Sequence, residues 1–174
     1  KLDPDLIGLQ EILAHVEPDK ITSQAHAIAD GLGYTVAFGS ANELGGGIHF
    51  GNAVLSRWPI ADTRVFKLPA LHTDESRSLL LAEIASPFGV IPFFVTHLNW
   101  KFHHGVVRQA QVQVVAEHVK QQAPIAGLPP ILVGDFNAEP DATEIRFLRG
   151  IHSLSGKSTF FGDCFGQVGQ GPGF

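Results

Sequence analysis

A second cysteine is missing: Cys164 stands alone, which excludes an internal disulfide and makes a small buried hydrophobe its expected role. Long apolar runs are missing as well. Crossing a bilayer takes ~20 consecutive apolar residues, and the longest stretches here, Ile84 to Val95 and Val106 to Val119, are broken by Pro, Gly, Gln or charge. No transmembrane segment is expected. Basic residues are few and scattered, 12 Lys plus Arg against 17 Asp plus Glu for a formal net charge of −5. A protein that grips duplex nucleic acid through many phosphates shows a basic face, so the sequence carries no strong nucleic-acid footprint. An acidic balance is also what carboxylates gathered to hold a metal produce. Internal repeats, low-complexity tracts and a second domain are absent from the pattern. What is present, 174 residues of which 44% are hydrophobic and 17% charged, suits one globular domain with a single large core.

The apolar periodicity predicts a short buried strand over Asp5–Gln10 and a helix after Asp19 or Thr22, with Ile21, Ala25, Ile28, Ala29 and Leu32 on one face. Gly31 and Gly33 end it. A strand is predicted at Tyr34–Phe38, and a flexible loop at Asn42–Gly47. Four strands follow, Ile48–Ser56, Thr63–Leu68, Arg77–Ile84 and Val90–Thr96, joined by connections short enough to favour antiparallel neighbours. Pro92 is expected at a bulge or an edge. The clearest helix spans about Gly105–Gln122, with Val107, Ala110, Val114 and Val119 inward and Pro124–Pro130 ending it. A buried strand is predicted at Ile131–Val133, then a short helix to Leu148 opened by a capping box of Asp141 and Glu144. Hairpins mixed with helical crossovers predict mixed sheets covered by helices.

Three polar sites follow directly on apolar strands, where open α/β sheets place ligands. They are Gln10-Glu11, Thr96-His97-Leu98-Asn99 and Gly134-Asp135-Phe136-Asn137. Residues two apart on a strand share a face, so Asp135 and Asn137 can point at one substrate, and Gly134 admits a close backbone approach just before them. Carboxylates from two strand ends, a His and an Asn suit a hard-cation phosphate site, since Mg²⁺ takes oxygen ligands from one or two carboxylates, waters and substrate. The His donates to a phosphate oxygen or moves a proton, and the Asn orients a water. Singly each signal is weak, because a Glu after a strand is most often a solvated loop residue and an Asp often caps the next helix. The conjunction carries the argument.

In these motifs the sequence resembles the endonuclease/exonuclease/phosphatase superfamily. The matching segments are Asp5-Leu-Ile-Gly-Leu-Gln-Glu11, Gly51 to Ile60, Ser76-Arg-Ser-Leu-Leu80, Thr96-His-Leu98 and Gly134-Asp-Phe-Asn137, in the family's order. The resemblance implies an α/β (α+β) four-layer sandwich, two packed mixed, largely antiparallel sheets flanked by helices. It also implies a Mg²⁺-dependent phosphoesterase, with Mn²⁺ able to substitute, acting by an activated water on a phosphate ester of open class. By the same resemblance Glu11 is the metal ligand, and His97, Asp135 and Asn137 form the catalytic group. Asn52 and Arg77 are phosphate-binding candidates, Arg77 being as readily a strand-start residue in a surface ion pair. Two family elements would fall outside, an opening strand before Lys1 and a closing Asp-His pair after Phe174. Residues 1–174 thus read as one domain incomplete at both ends. The compartment stays open, with the cytoplasm favoured and a targeting segment before Lys1 not excluded.

Other candidates fall away. Gly156-Lys-Ser-Thr159 lacks the second glycine of a phosphate-binding loop. His103-His104 are expected in solvent, Trp58 and Trp100 as packed aromatics, and Gly45–Gly47 as a mobile turn near the site. The rival to an enzyme is a non-catalytic relative that binds a phosphorylated ligand or a protein partner. The presence of both Glu11 and His97 favours the enzyme.

Overall fold

A computed structural model describes residues 2–123 and 127–171. Its elements run β1 (Leu6–Glu17), β2 (Lys20–Ser23), α1 (Gln24–Asp30), β3 (Thr35–Gly45), β4 (Ile48–Ser56), β5 (Ile60–Leu68), β6 (Arg77–Ser86), β7 (Gly89–His97), α2 (Gly105–Gln122), β8 (Ile131–Asp135), α3 (Thr143–Leu148) and α4 (Cys164–Val168). Two four-stranded sheets form, ordered β2-β1-β4-β3 and β5-β6-β7-β8. Every pair in the first is antiparallel, whereas β7 and β8 of the second are parallel, joined by the α2 crossover. Parallel neighbours need such a crossover, and α2 supplies it.

Side-chain alternation in β6 makes the layers. Leu80, Ala82 and Ile84 face the first sheet in a core shared with Val54, Phe93 and Val95, while Leu79 and Leu81 pack with Phe94 beneath Val112, Val115, Val119 and Phe147 of α2 and α3. With both faces covered, the strand reads as a continuous apolar run. Each fully buried large side chain contributes roughly 1.5–3 kcal/mol, so the layer under α2 is a principal source of stability. On the far side Ala25 and Ala29 of α1 cover Ile12, Ala53 and Leu55. Three cores between four layers make the sandwich. Gly8 lets the sheets approach, since a Cβ there would sit 2.5 Å from Val133 Cγ2.

Several expectations change. Residues 20–23 pair with the end of β1 as a strand, so the first helix starts later, capped by the Ser23 hydroxyl on the His26 N–H, and Ile21, Ile28 and Leu32 stay exposed. β3 continues through Gly45 because two register shifts absorb its polar residues, leaving only the turn at residues 46–47 of the predicted loop. The connection Arg57-Trp58-Pro59 does not join antiparallel neighbours; it carries the chain from one sheet to the other, with Trp58 packed in the core between them. Pro92 lies opposite Glu83, one residue outside the β8 pairing that starts at Phe93, where β7 is locally an edge. On α2 the inward face includes Arg108 and Gln111, polar residues that an apolar count cannot find. No capping box opens α3: its N-cap is Ala142, and Glu144 turns inward to Arg108. Cys164 is exposed, on a short helix with no buried residue. Pro124 and residues 172–174 lie outside the described residues. Among the described residues no helix is long and apolar enough to cross a membrane.

Candidate active site

Both sheets deliver polar side chains to one edge of the sandwich. His97 pairs with Asp135 at the parallel C-terminal ends of β7 and β8, and antiparallel β6 begins there with Arg77. From the facing sheet comes Glu11. Leu9 pairs with Ala53 and Ile12 with Gly51, so Gln10 and Glu11 together oppose the single residue Asn52. This bulge holds Glu11 at φ 59°, exposed, instead of continuing the strand's alternation. Glu11 and Asp135 both act electrostatically on His97 and on Arg77. Both carboxylates therefore lie near the Arg77–His97 pair, Glu11 and Arg77 in the wall of the cleft at this edge and His97, Asp135 and Asn137 outside its lining.

His97 is 5% exposed, and its Nδ1 lies 3.0 Å from Arg77 Nη1. A guanidinium only donates, so Nδ1 accepts and the ring proton of the neutral imidazole sits on Nε2. Nε2 is 3.9 Å from Asp135 Oδ2, beyond hydrogen-bond length, so both atoms can still meet a ligand. Burial, and then Arg77, push the His97 pKa below its ordinary 6.5, opposed by Asp135, Glu11 and Glu75. The ring is neutral at neutral pH.

Arg77 is not in a surface ion pair. It is 6% exposed and pairs through Nη2 with Glu75 Oε1. Burial draws its pKa down, while Glu75, Glu11 and Asp135 pull it back up. Its Nε is buried without a protein partner.

Asp135 keeps a 53% exposed side chain. Its Oδ1 accepts the Asn137 N–H at 2.8 Å, and Asn137, at φ 49°, donates its side-chain amide to the Leu98 carbonyl at 3.0 Å. The preceding Gly134 has φ 152°, and a Cβ there would lie 2.0 Å from the Thr96 carbonyl oxygen, so the close approach expected at this glycine is present. Asn52 is buried between the sheets, its amide donating to the carbonyls of Ser78 at 3.1 Å and Val95 at 3.5 Å.

A cleft of about 760 Å³ opens on this edge, lined by Glu11, Asn42, Phe50, Glu75, Arg77 and Trp100, with His72, Lys101 and His104 also in its wall. Trp58 is packed, but Trp100 is 57% exposed at the cleft. The Gly46-Gly47 turn caps the hairpin beyond Asn42 and Phe50, which pair across β3 and β4. Sequence reasoning missed Glu75. Its only signal was a carboxylate two residues before Arg77, on the same face of an extended chain.

Among the described residues no group of three or more His, Cys, Asp or Glu side chains is placed to hold a metal ion. The donors present are hard oxygens: an exposed Glu11 carboxylate on the cleft and an exposed Asp135 carboxylate near His97, while Glu75, in the same wall, is committed to Arg77 and Asn99. One or two carboxylates completed by waters and substrate oxygens is the set Mg²⁺ takes. In donor type, though not as a preformed cluster, these residues suit such an ion.

A model of the Endonuclease/Exonuclease/phosphatase family matches residues 1–174. The uncharacterized protein YbhP of Escherichia coli strain K12 is 32% identical over 142 residues, 76% of this chain and 53% of YbhP. The chain thus spans about half the length of the curated relatives it matches. Among solved structures, the human Nocturnin catalytic domain with bound sulfate superposes with TM-score 0.64 at 20% identity, covering 84% of this chain and 56% of that one. ANGEL2, a 2′,3′-cyclic phosphatase in complex with adenosine-2′,3′-vanadate, gives 0.62 at 19%, covering 85% and 44%. D. rerio TDP2 complexed with single-strand DNA product gives 0.56 at 21%, covering 78% and 49%. At these identities the structural likeness is one of fold.

Proposed function

Because the chain belongs to the endonuclease/exonuclease/phosphatase family, we propose that it carries active-site residues of a Mg²⁺-dependent phosphoesterase. The reaction is hydrolysis of a phosphomonoester or phosphodiester by an activated water. The observation that supports this most directly is the placement of an exposed carboxylate, Asp135, 3.9 Å from the Nε2 of a buried neutral His97.

In this reading Asp135 orients the attacking water and takes its proton, its carboxylate held by the Asn137 N–H. His97 donates Nε2–H to a non-bridging phosphate oxygen, where a preset donor stabilises charge as it develops. Arg77 adds cationic charge behind it. Asn137 stands beside Asp135 as a further contact to water or phosphate, whereas Asn52, 2% exposed with its amide given to the Ser78 and Val95 carbonyls, joins the two sheets behind the site and does not reach the phosphate. Glu11 would hold Mg²⁺, which when bound supplies a Lewis acid for the phosphoryl and leaving oxygens.

The experiment uses the full-length protein with a nitrophenyl phosphomonoester and the matching bis-ester, with Mg²⁺ or Mn²⁺ and then with chelator. Turnover of one ester that needs metal and is lost in Asp135→Ala and His97→Ala supports the reading. Metal-independent turnover, or turnover that survives both substitutions, refutes it. No turnover with tight binding of a phosphorylated ligand would favour the non-catalytic relative.

A further inference from the structure

Glu75 and Asn99 have no role in the mechanism above, yet both stand behind Arg77. Asn99 is fully buried. A carboxylate only accepts, so the 2.5 Å contact to Glu75 Oε2 must be donated by Asn99 Nδ2. That fixes the amide's orientation and leaves Oδ1 to accept from the Lys101 N–H and from His104 Nδ1, each at 3.1 Å. The Asn99 N–H donates to Gln111 Oε1 at 3.0 Å, and the Gln111 amide donates to the Pro69 carbonyl at 3.0 Å. Glu75 Oε1 forms an ion pair with Arg77 Nη2 without hydrogen-bond geometry, and Arg77 Nη1 donates to His97 Nδ1. Each link from Asn99 to the imidazole has one allowed polarity.

Building on the catalytic reading of His97, we propose that Glu75 and Asn99 are positioning residues: they fix Arg77 and through it hold His97 as the Nε2–H tautomer. A neutral imidazole free of such a partner populates both tautomers. In the other one a lone pair, not a donor, faces Asp135 and any phosphate placed there. Arg77 prevents this only while its guanidinium stays on Nδ1. The guanidinium is held on its far side by Glu75, whose second oxygen is held by Asn99.

The polarity argument suggests a swap. In Glu75→Gln the new amide can satisfy Asn99 or Arg77 but not both. In Asn99→Asp two carboxylates face each other. In the double variant the Gln amide donates to Asp and its carbonyl accepts from Arg77, so every link is again complementary. Nitrogen NMR of ¹⁵N-histidine-labelled full-length protein reads the tautomer directly. The wild type and the double variant should show His97 protonated on Nε2, and each single variant a mixture. The kcat of the singles should fall by about 10- to 100-fold, the usual effect of removing a partner that orients an active group, with recovery in the double. A pure Nε2–H tautomer in Glu75→Gln, or a folded double variant with mixed tautomers, overturns the proposal. If one single variant does not fold, the double variant and the other single still decide. The tautomer is read without turnover. Tautomer shifts in a protein inactive on every ester would sink the catalytic reading and leave this one standing, whereas normal activity with unmoved tautomers would sink this one alone.

Discussion

Arg108 and Glu144 form the most deeply buried ion pair described here, with side chains 7% and 3% exposed. Arg108 Nε donates to Glu144, Nη1 to the carbonyls of Asn99 at 3.3 Å and Lys101 at 2.8 Å, and Nη2 to Phe102 at 3.3 Å. The pair therefore ties α3 to α2 and to the loop that lines the cleft. Removing one member leaves the other charge buried without compensation, at a cost of about 3–5 kcal/mol. Glu144→Ala should lose that amount. Arg108→Met should lose at least as much, because three loop carbonyls lose their donor as well as Glu144 its cation. For a chain of this size 1 kcal/mol shifts Tm by about 2–4 °C, so the expected drop is about 6–20 °C. Glu117→Ala is the control, since its pair with Lys157 is exposed on both sides and such pairs contribute about 0–1 kcal/mol. Urea denaturation gives the free energies, with m unchanged if the unfolding reaction is the same. A loss below about 1 kcal/mol in Glu144→Ala would refute the reasoning, because it would mean that Arg108 finds water or another partner at no cost.

Three further predictions follow from the site. Gly134→Ala must push a Cβ away from the Thr96 carbonyl at a φ that L residues avoid; strain of this kind costs at least about 1–3 kcal/mol, and calorimetry should show it together with lost turnover, while an unchanged Tm would count against the crowding. His97 has a folded pKa below its unfolded 6.5, so the unfolded state binds the proton more readily and stability rises with pH. Its contribution is complete above about pH 6.5 and is lost as pH falls through the folded value, so the stability gap between wild type and His97→Gln should narrow over that range, and a gap that widened toward acid would contradict the sign. Glu11→Gln should weaken metal affinity, so that excess Mg²⁺ restores part of the rate; a variant whose rate ignores Mg²⁺ concentration would remove Glu11 from the metal.

What the sequence revealed is tied to strand ends. Thr96-His97 and Gly134-Asp135 each close an apolar run, and their register as a parallel pair places the side chains together. Glu11 was legible as a polar residue after a strand, but not the strand's continuation to Glu17, because a bulge looks like an ending when only alternation is counted. Glu75 sits in a stretch of Asp, Glu and Ser that reads as solvent loop, and its burial against Arg77 depends on Asn99, 24 residues away. Arg108 and Gln111 were missed for the same reason, since their partners come from other segments. Apolar patterning locates faces. It does not say which polar side chain is satisfied inside.

The three-residue passage at Arg57-Trp58-Pro59 divides the chain as cleanly as it divides the sandwich. Every strand of one sheet precedes it and every strand of the other follows. Glu11 thus belongs to the early segment, and Arg77, His97 and Asp135 to the later one. Neither segment alone can assemble the site, and a nick in this passage would make its assembly a bimolecular property, more complete as the concentration of the complementary piece rises. Split-protein pairs are built on this logic, and here the seam falls where the fold already changes sheets.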